Sequence, residues 1–319
     1  MALKNDILYE LLTAKDYISG EELANKFSKS RAAVWKAVRA LKSEGYDIDA
    51  VTNKGYRLTD NNDLISAESI KSKMSYDIDV IYYPTVDSTN NQCKRFLADG
   101  KQGVFLVIAD EQTAGRGRQG KSFYSPAMTG VYFSLVIRPK VSLQNAVTAT
   151  TAASVAVCKA IETLTPLKPK IKWVNDVYLN GKKICGILTE AVTNFEEGIV
   201  DSVIIGIGIN VKTIDFPSDI NEAGSLNYKI SRSALISEIT NNLLKIAQGD
   251  YKVFIDYYRS HSLVTGERIN FIENGKITPA TAVAIDETGG LEVELDSGER
   301  KILRSGEISI RKIEKELEK

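Results

Sequence analysis

Histidine is almost absent from this chain, which contains a single one, His261, in 319 residues. Nucleophilic systems of the Ser-His-Asp and Cys-His types need a histidine beside the nucleophile, so the sequence argues against that chemistry. His261 follows the run Tyr257 to Ser260, at the expected end of a helix, and we assign it a surface or capping role.

Cysteine and long apolar runs are also scarce. The three cysteines, Cys93, Cys158 and Cys185, are far apart and show no C-x-x-C spacing, so we expect small buried side chains rather than disulfides or a zinc site. No run of about 18 apolar residues is present that could cross a bilayer, and the N-terminus lacks the apolar core of a signal peptide. We therefore expect a cytoplasmic protein with no membrane partner.

The chain has no excess charge of either sign, with 41 basic and 41 acidic residues. Since no global attraction to nucleic acid exists, any DNA binding must come from a local patch. The length and the hydrophobic fraction of 43% predict real cores in two or three domains.

Residues 1–63 predict a separate helical module. Ser19 and Glu22 have the S-x-x-E spacing of a helix-capping box, and Ser30 is in position to cap a further helix over residues 31–44. This succession of helix, turn and helix is typical of helix-turn-helix proteins, whose second helix enters the major groove of DNA.

Positive charge is concentrated on that second helix. From Lys26 to Lys42 there are six basic residues and no acidic one, and a hairpin predicted at residues 47–58 adds Lys54 at its tip. A basic amphipathic helix alone is usually a solvated face, but here helix, turn and wing occur together, which predicts binding to operator DNA. The predicted DNA contacts are Ser30, Arg31, Trp35, Lys36, Arg39, Lys42 and Lys54.

Beyond a linker expected at residues 61–63, strand-like and helix-like runs alternate as far as residue 263 and predict a mixed α/β core. Residues 264–319 contain short strand-like runs separated by glycine turns, which predict a small β-barrel.

The run Gly115 to Ser122 satisfies two incompatible patterns for phosphate binding. As G-x-x-x-x-G-K-[ST] it spells a P-loop, which must end in a helix. The residues that follow predict a turn and a strand over 123–137 instead. The alternative is a flexible loop between strands in which Arg116 and Arg118 bind carboxylate and phosphate oxygens through forked hydrogen bonds.

A second informative run covers residues 172–190. In it, Asn175 and Asp176 precede an apolar segment, a turn bears Lys183, and Gly186 follows within a strand. This order brings an ammonium group near backbone that a ligand can approach closely, although an ordinary charged hairpin has the same local features.

Together these runs strongly resemble the biotin protein ligases, and the N-terminal module makes the bifunctional ligase-repressors the best match. The resemblance covers nearly the whole chain. The motifs that carry it are Ser88-Thr89-Asn90, Glu111 to Arg118, Lys172 to Glu190, Gly206 to Asn210 and Gly306 to Ser309.

The resemblance implies an α+β multidomain fold. Its parts are a winged helix-turn-helix domain at residues 1–63, a mixed-sheet catalytic domain like class II aminoacyl-tRNA synthetases at residues 64–263, and an SH3-like β-barrel at residues 264–319.

It also implies a biotin–[biotin carboxyl-carrier protein] ligase that uses ATP and Mg²⁺ to activate biotin as biotinyl-5′-AMP. Biotin then passes to one lysine of a biotin carboxyl carrier protein of a biotin-dependent carboxylase. The same resemblance implies a repressor of genes for biotin synthesis and transport, acting on operator DNA as a homodimer that biotinyl-5′-AMP promotes.

Site roles follow from the same resemblance. The implied catalytic residues are Lys183, Arg116 and Arg118. The implied biotin contacts are Ser88, Thr89, Asn90, Gln112, Gly115, Arg116, Gly117, Arg118, Lys183, Gly186 and Gly206. The implied ATP contacts are Arg118, Lys121, Phe123, Asn175, Lys183 and Asn210, with Asp176 as a ligand for Mg²⁺.

Three positions depart from the family pattern: Phe123 stands where a tryptophan is common, Val174 where a proline is common, and Trp35 where shorter polar residues are usual. Three other functions compete with the biotin ligase. They are a lipoate or octanoate ligase, a P-loop ATPase, and a biotin-sensing transcription factor that never forms an adenylate.

Overall fold

The computed structural model describes residues 3–43, 45–59, 63–138, 146–194, 199–218, 220–248, 251–273, 275–304 and 306–310. Over these residues the chain forms a helical module, a mixed sheet with helices and an antiparallel sheet, in that order. No helix in these ranges is long and apolar enough to cross a membrane.

The N-terminal module is three helices followed by a hairpin. Its elements are α1 (Leu3–Thr13), α2 (Gly20–Lys26), α3 (Arg31–Ser43), β1 (Ile48–Val51) and β2 (Gly55–Leu58). The hydroxyls of Ser19 and Ser30 accept backbone N–H groups of Glu22 at 3.0 Å and Ala33 at 3.2 Å. Both predicted caps are therefore present, and each satisfies an N–H that the helix itself leaves without a partner.

One stripe of α3 forms the core of this module. Val34, Val38 and Leu41 are buried and pack with the apolar residues of α1 and α2. The helix ends at Ser43, and Glu44, predicted as its last residue, lies outside the described residues. The opposite stripe stays exposed, as a helix that presents basic residues to DNA requires.

The central domain contains a seven-stranded sheet. Its strands are β3 (Asp79–Val86), β4 (Phe105–Gln112), β5 (Gly130–Ile137), β6 (Lys170–Lys172), β7 (Asp176–Leu179), β8 (Lys182–Asn194) and β9 (Ile199–Asn210). Their order is β3-β4-β5-β9-β8-β7-β6, in which β3 and β4 are parallel and all other neighbours antiparallel. The predicted mixed sheet is confirmed.

Helices pack on both faces of that sheet. They are α4 (Ala67–Lys71), α5 (Thr89–Ala98), α6 (Ala146–Leu164), α7 (Arg232–Gln248) and α8 (Tyr251–Ser260). Along β4, Leu106 and Ile108 enter the large core with α6 and α7, while Phe105 and Val107 pack on Cys93 of α5, as the alternation of a strand requires. Because β3 and β4 are parallel, the start of α5 and the end of β4 lie at the same edge of the sheet.

The C-terminal region is an antiparallel sheet. Its strands are β10 (Arg268–Glu273), β11 (Lys276–Ile285), β12 (Leu291–Leu295), β13 (Arg300–Leu303) and β14 (Glu307–Ile310), in the order β13-β12-β11-β10-β14. The predicted closed barrel is not seen in the described residues, because the edge strands β13 and β14 do not pair with each other. The glycines at the turns predict where the strands begin and end. Closure of a barrel depends instead on pairing between strands, which these local signals do not specify.

The C-terminal sheet shares a continuous apolar core with the central domain. Ile269 and Phe271 belong to the same buried cluster as the side chains of α6 and β9. The indole N–H of Trp173, just after β6, also donates to the carbonyl of Gly289 at 2.9 Å. These contacts hold the two regions together.

The three cysteines are small buried side chains, as predicted. Cys93, Cys158 and Cys185 are fully buried, and burial raises the pKa of each thiol well above its usual range. His261 follows α8 directly, and its ring stacks on Tyr257 with 3.8 Å between the centroids. No thiolate or imidazole chemistry is indicated at these positions.

A buried arginine fixes the end of the predicted linker to the central domain. Arg232 is completely buried, and its guanidinium pairs with Asp63 at 3.2 Å and Asp110 at 2.8 Å. A buried cation needs such partners, since an unpaired charge in the interior is strongly destabilising. The chain is thus anchored where the N-terminal module ends.

Candidate active site

A cavity of about 400 Å³ opens where α5, the end of β4, strands β7 to β9 and the start of β14 meet. It brings together the predicted residues Ser88, Thr89, Asn90, Gln112, Arg116, Gly117, Arg118, Lys121, Phe123, Asn175, Asp176, Lys183, Gly186 and Gly206. These residues are spread over more than a hundred positions of sequence, and the fold collects them into one polar site.

The glycine-arginine loop folds back on itself beside this cavity. The N–H of Gly117 donates to the carbonyl of Lys121 at 2.7 Å, and the N–H of Phe123 donates to the carbonyl of Gly115 at 2.9 Å. A 3₁₀ turn at Arg118–Gly120 lies between them. Within residues 63–138 no α-helix follows the loop before β5, so the P-loop reading is wrong.

Two cationic side chains are linked through one polar chain. The ammonium of Lys183 lies 2.8 Å from Asp176 Oδ1, and that oxygen also accepts the amide of Asn175 at 2.9 Å. The oxygen of the Asn175 amide accepts Arg118 Nη1 at 3.0 Å. The network orients both cations toward the cavity, where they can neutralise phosphate and carboxylate charge.

A buried polar corner forms another wall. Thr89 donates to Gln112 Oε1 from its backbone N–H at 2.9 Å and its hydroxyl at 3.1 Å. Ser134 Oγ lies 2.7 Å from the hydroxyl of Thr89 and 2.6 Å from Asn90 Oδ1. Ser88, Thr89 and Asn90 are each no more than 3% exposed, so the corner is a fixed set of donors and acceptors.

Paired glycines make the strand wall flat. Gly186 of β8 and Gly208 of β9 are directly opposite each other. A Cβ at Gly208 would lie 2.4 Å from the ring of Phe123, and a Cβ at Gly206 would lie 2.1 Å from Asn90 Oδ1. Only glycine therefore lets Phe123 and Asn90 lie against the backbone.

Comparison with known proteins identifies the family. The Biotin/lipoate A/B protein ligase family model matches residues 82–210, an HTH domain model matches residues 4–57, and the biotin protein ligase C-terminal domain model matches residues 264–311. The bifunctional ligase/repressor BirA of Bacillus subtilis is 34% identical over 94% of this chain and 96% of that protein. This chain belongs to the biotin protein ligase family.

Further relatives agree. BirA of Escherichia coli is 29% identical and is covered over 97% of both chains. The solved structure of the biotin protein ligase from Aquifex aeolicus in complex with biotin and ATP is 29% identical, with a TM-score of 0.61, covering 73% of this chain and 98% of that one. The family assignment therefore rests on similarity over nearly the whole of this chain as well as on the fold.

Two predicted contacts of this biotin protein ligase do not line the cavity among the described residues. Asn210 is 5% exposed; its amide N–H donates to the carbonyl of Gly224 at 3.0 Å, and its oxygen has no hydrogen-bond partner among those residues. Gly115 instead lies against the backbone carbonyl of Phe123. Both shape neighbouring loops.

Several lining residues of the ligase escaped sequence reasoning. Glu222 accepts the hydroxyl of Tyr178 at 2.8 Å and lies 3.8 Å from the ammonium of Lys172. The hydrogen bond from Tyr178 lowers the pKa of Glu222. Glu222 sits in a polar loop without a motif. The other lining residues without a predicted role are Ser122, Trp173, Ile187, Leu188, Ile207, Gly208, Gly306, Ile308 and Ser309. Most of them belong to the motifs that carry the family resemblance.

The DNA-binding residues predicted on α3 and at the tip of the hairpin are exposed. Trp35 is 49% exposed, and the guanidinium of Arg39 lies 4.8 Å from its ring centre. Arg31, Lys36, Lys42 and Lys54 are likewise exposed. Ser30 caps the helix, so its hydroxyl orients α3.

Proposed function

We propose that this chain is a bifunctional biotin ligase and repressor. It forms biotinyl-5′-AMP and pyrophosphate from biotin and ATP, and then transfers biotin to one lysine of a biotin carboxyl carrier protein. The observation that carries the proposal is the juxtaposition of Lys183 and Arg118, in one polar network, with the buried corner around Asn90.

Adenylation joins two anions, which is why the cations matter. A carboxylate oxygen of biotin attacks the α-phosphorus of ATP, the new O–P bond forms, and the bond to pyrophosphate breaks. Lys183 would bind the carboxylate and the α-phosphate together, and Arg118 would bind the phosphate, lowering repulsion and stabilising negative charge in the transition state. Asp176 orients Lys183 through the 2.8 Å pair.

Transfer uses the same site. The amine of the acceptor lysine attacks the acyl carbon of the adenylate and the amide bond forms. The bond from the acyl carbon to the phosphate oxygen breaks, and the same cations would stabilise the phosphate of AMP as the leaving group. The side chain of Lys183 is 32% exposed and lines the cavity, so substrates would reach its ammonium from there.

The buried corner is the proposed biotin site. A ureido group presents two N–H donors and one carbonyl acceptor, and Ser88, Thr89, Asn90 and Gln112 supply acceptors and donors in a fixed arrangement. Gly186 and Gly206 let the ligand approach backbone closely.

The nucleotide is proposed to lie beside Phe123, with Lys121 and Asn175 as further contacts that line the cavity. Among the described residues, two carboxylates line the cavity, Asp176 and Glu222, and a hard oxygen donor such as that of Asp176 fits Mg²⁺. The ion would supply positive charge to the phosphates when bound.

We also propose that the adenylate promotes a homodimer, which would present two copies of α3 to the two half-sites of an operator. The proposed domains are residues 1–63, 64–263 and 264–319. For the last of these, the match of residues 264–311 to the ligase C-terminal domain model supports the boundary, and the antiparallel order of its five strands is the observation behind the proposed SH3-like fold.

The test of the enzyme is a single-turnover assay with a purified carrier domain. We expect the mass of the carrier to rise by one biotinyl group only when biotin and ATP are both present. A carrier that stays unmodified while the protein still binds biotin would favour the sensor that never forms an adenylate.

A further inference from the structure

The carboxylate of Glu190, on β8, collects donors from two other parts of the chain. Its Oε2 accepts Asn90 Nδ2 at 2.9 Å, and its Oε1 accepts Lys94 Nζ at 2.8 Å, both from α5. Arg116 of the glycine-arginine loop donates to the same group, at 3.0 Å from Nη2 to Oε1 and 3.3 Å from Nη1 to Oε2. One anion thus joins strand, helix and loop.

This contact distinguishes the two arginines that the sequence presents as equivalent. Arg118 donates to Asn175 in the catalytic network. Arg116 forms a forked pair with Glu190, and its Nη1 also donates to Asn91 at 2.9 Å. The guanidinium of Arg116 is therefore already bound by protein, and the forked geometry is the strong form of such a pair.

The loop is stiff enough to pass this restraint on. Arg116 and Ser122 form an isolated β-bridge, and Gly117 donates to Lys121 across the same turn. A pair that holds Arg116 consequently holds the whole turn beside the cavity.

Glu190 also fixes a residue of the polar corner. Asn90 donates to Glu190 through Nδ2, while its Oδ1 lies 2.6 Å from Ser134 Oγ. The side chain of Glu190 is only 18% exposed, so water competes weakly for these bonds. The position of the loop and the orientation of Asn90 are set by one carboxylate.

We infer that Glu190 is a positioning residue that latches the glycine-arginine loop over the cavity through Arg116, and that this latch retains the adenylate until an acceptor arrives. The inference rests on the proposed function. It assigns Arg116 to loop closure rather than to direct contact with the reacting atoms.

The test measures release of preformed biotinyl-5′-AMP from wild type, Glu190→Gln, Arg116→Ala and the double variant. We expect each single variant to release the adenylate about fivefold faster, equivalent to about 1 kcal/mol for a partly exposed ion pair. The double variant should release it no faster than the faster single variant, because both changes open the same latch. Trypsin should also cut after Arg118 or Lys121 faster in both single variants.

Glu10→Gln is the matched control. Glu10 pairs with Lys26 at 2.6 Å and is 20% exposed, close to the exposure of Glu190, but it lies in the N-terminal module. Its release rate and cleavage pattern should equal those of wild type. Equal thermal unfolding of all variants would show that they are folded; if Glu190→Gln does not fold, Arg116→Ala decides by itself.

The latch is refuted if Arg116→Ala releases the adenylate at the wild-type rate. It is equally refuted if the effects of the two single changes multiply in the double variant, as for an arginine that contacts the substrate independently of Glu190. Failure of the proposed function would give a different result, because the wild-type protein would then form no adenylate at all.

Discussion

Replacing Gly206 by alanine should weaken biotin binding specifically. The new Cβ would lie 2.1 Å from Asn90 Oδ1, whereas ordinary contact begins at 3.4 Å, so the Asn90 side chain must move by about 1.3 Å. Asn90 is 3% exposed and is held by Ser134 at 2.6 Å and Glu190 at 2.9 Å, so such a shift breaks hydrogen bonds that orient it.

The size of the effect follows from those bonds. The neutral hydrogen bond to Ser134 contributes about 1 kcal/mol, and the bond to the charged group of Glu190 contributes about 1.5–3 kcal/mol. Small movements of the surrounding side chains will restore part of this sum. We therefore expect a loss of about 2 kcal/mol in biotin binding, or about thirtyfold in Kd.

Calorimetric titration of Gly206→Ala with biotin and, separately, with ATP measures this. Gly208→Ala is the paired control, since its Cβ would meet the ring of Phe123 at 2.4 Å instead, and it should weaken ATP binding more than biotin binding. A folded Gly206→Ala protein that binds biotin within threefold of wild type would refute the role given to Asn90.

Other changes test other parts of the molecule. Lys183→Ala should reduce pyrophosphate exchange by about 10²–10³-fold, the usual cost of a group that stabilises transition-state charge, and Lys121→Ala should cost far less; the reverse order would revive the P-loop reading. Arg39→Ala should weaken binding to DNA, and the slope of the logarithm of the binding constant against the logarithm of the salt concentration should fall by about 1. DNA titrations at several salt concentrations measure this slope, and pyrophosphate exchange should not change. The hydrogen bond from Arg95 lowers the pKa of Asp87 in the folded state. The ionised Asp87 therefore stabilises the fold above the unfolded pKa of about 3.9, and this stabilisation is lost as the pH falls through the lower pKa of the folded state. Asp87→Asn lacks this carboxylate, so its melting temperature should fall less than that of wild type when the pH is lowered below about pH 4.

The features that the sequence predicts well depend on neighbours in the chain. Ser19 and Ser30 cap helices because a cap needs only a donor three residues away. The glycine-arginine loop is recognisable because its glycines, arginines and lysine are contiguous, and the strand after it excludes a P-loop.

The features that escaped prediction depend on partners far apart in sequence. Ser134 is one serine in a mostly apolar strand, and only the fold shows that it reaches Thr89 and Asn90. Glu222 lies in a loop without a motif, yet it accepts the hydroxyl of Tyr178, 44 residues away. The C-terminal barrel is a similar case, because its closure needs pairing between β13 and β14, which turn residues do not encode and which the described residues do not show.

The central claim is that this cavity adenylates biotin, and exchange of labelled pyrophosphate into ATP tests it most directly. The account predicts exchange that depends on biotin and that lipoate does not support. Exchange with lipoate and not with biotin would contradict biotin adenylation, and exchange with neither acid would exclude adenylation of both.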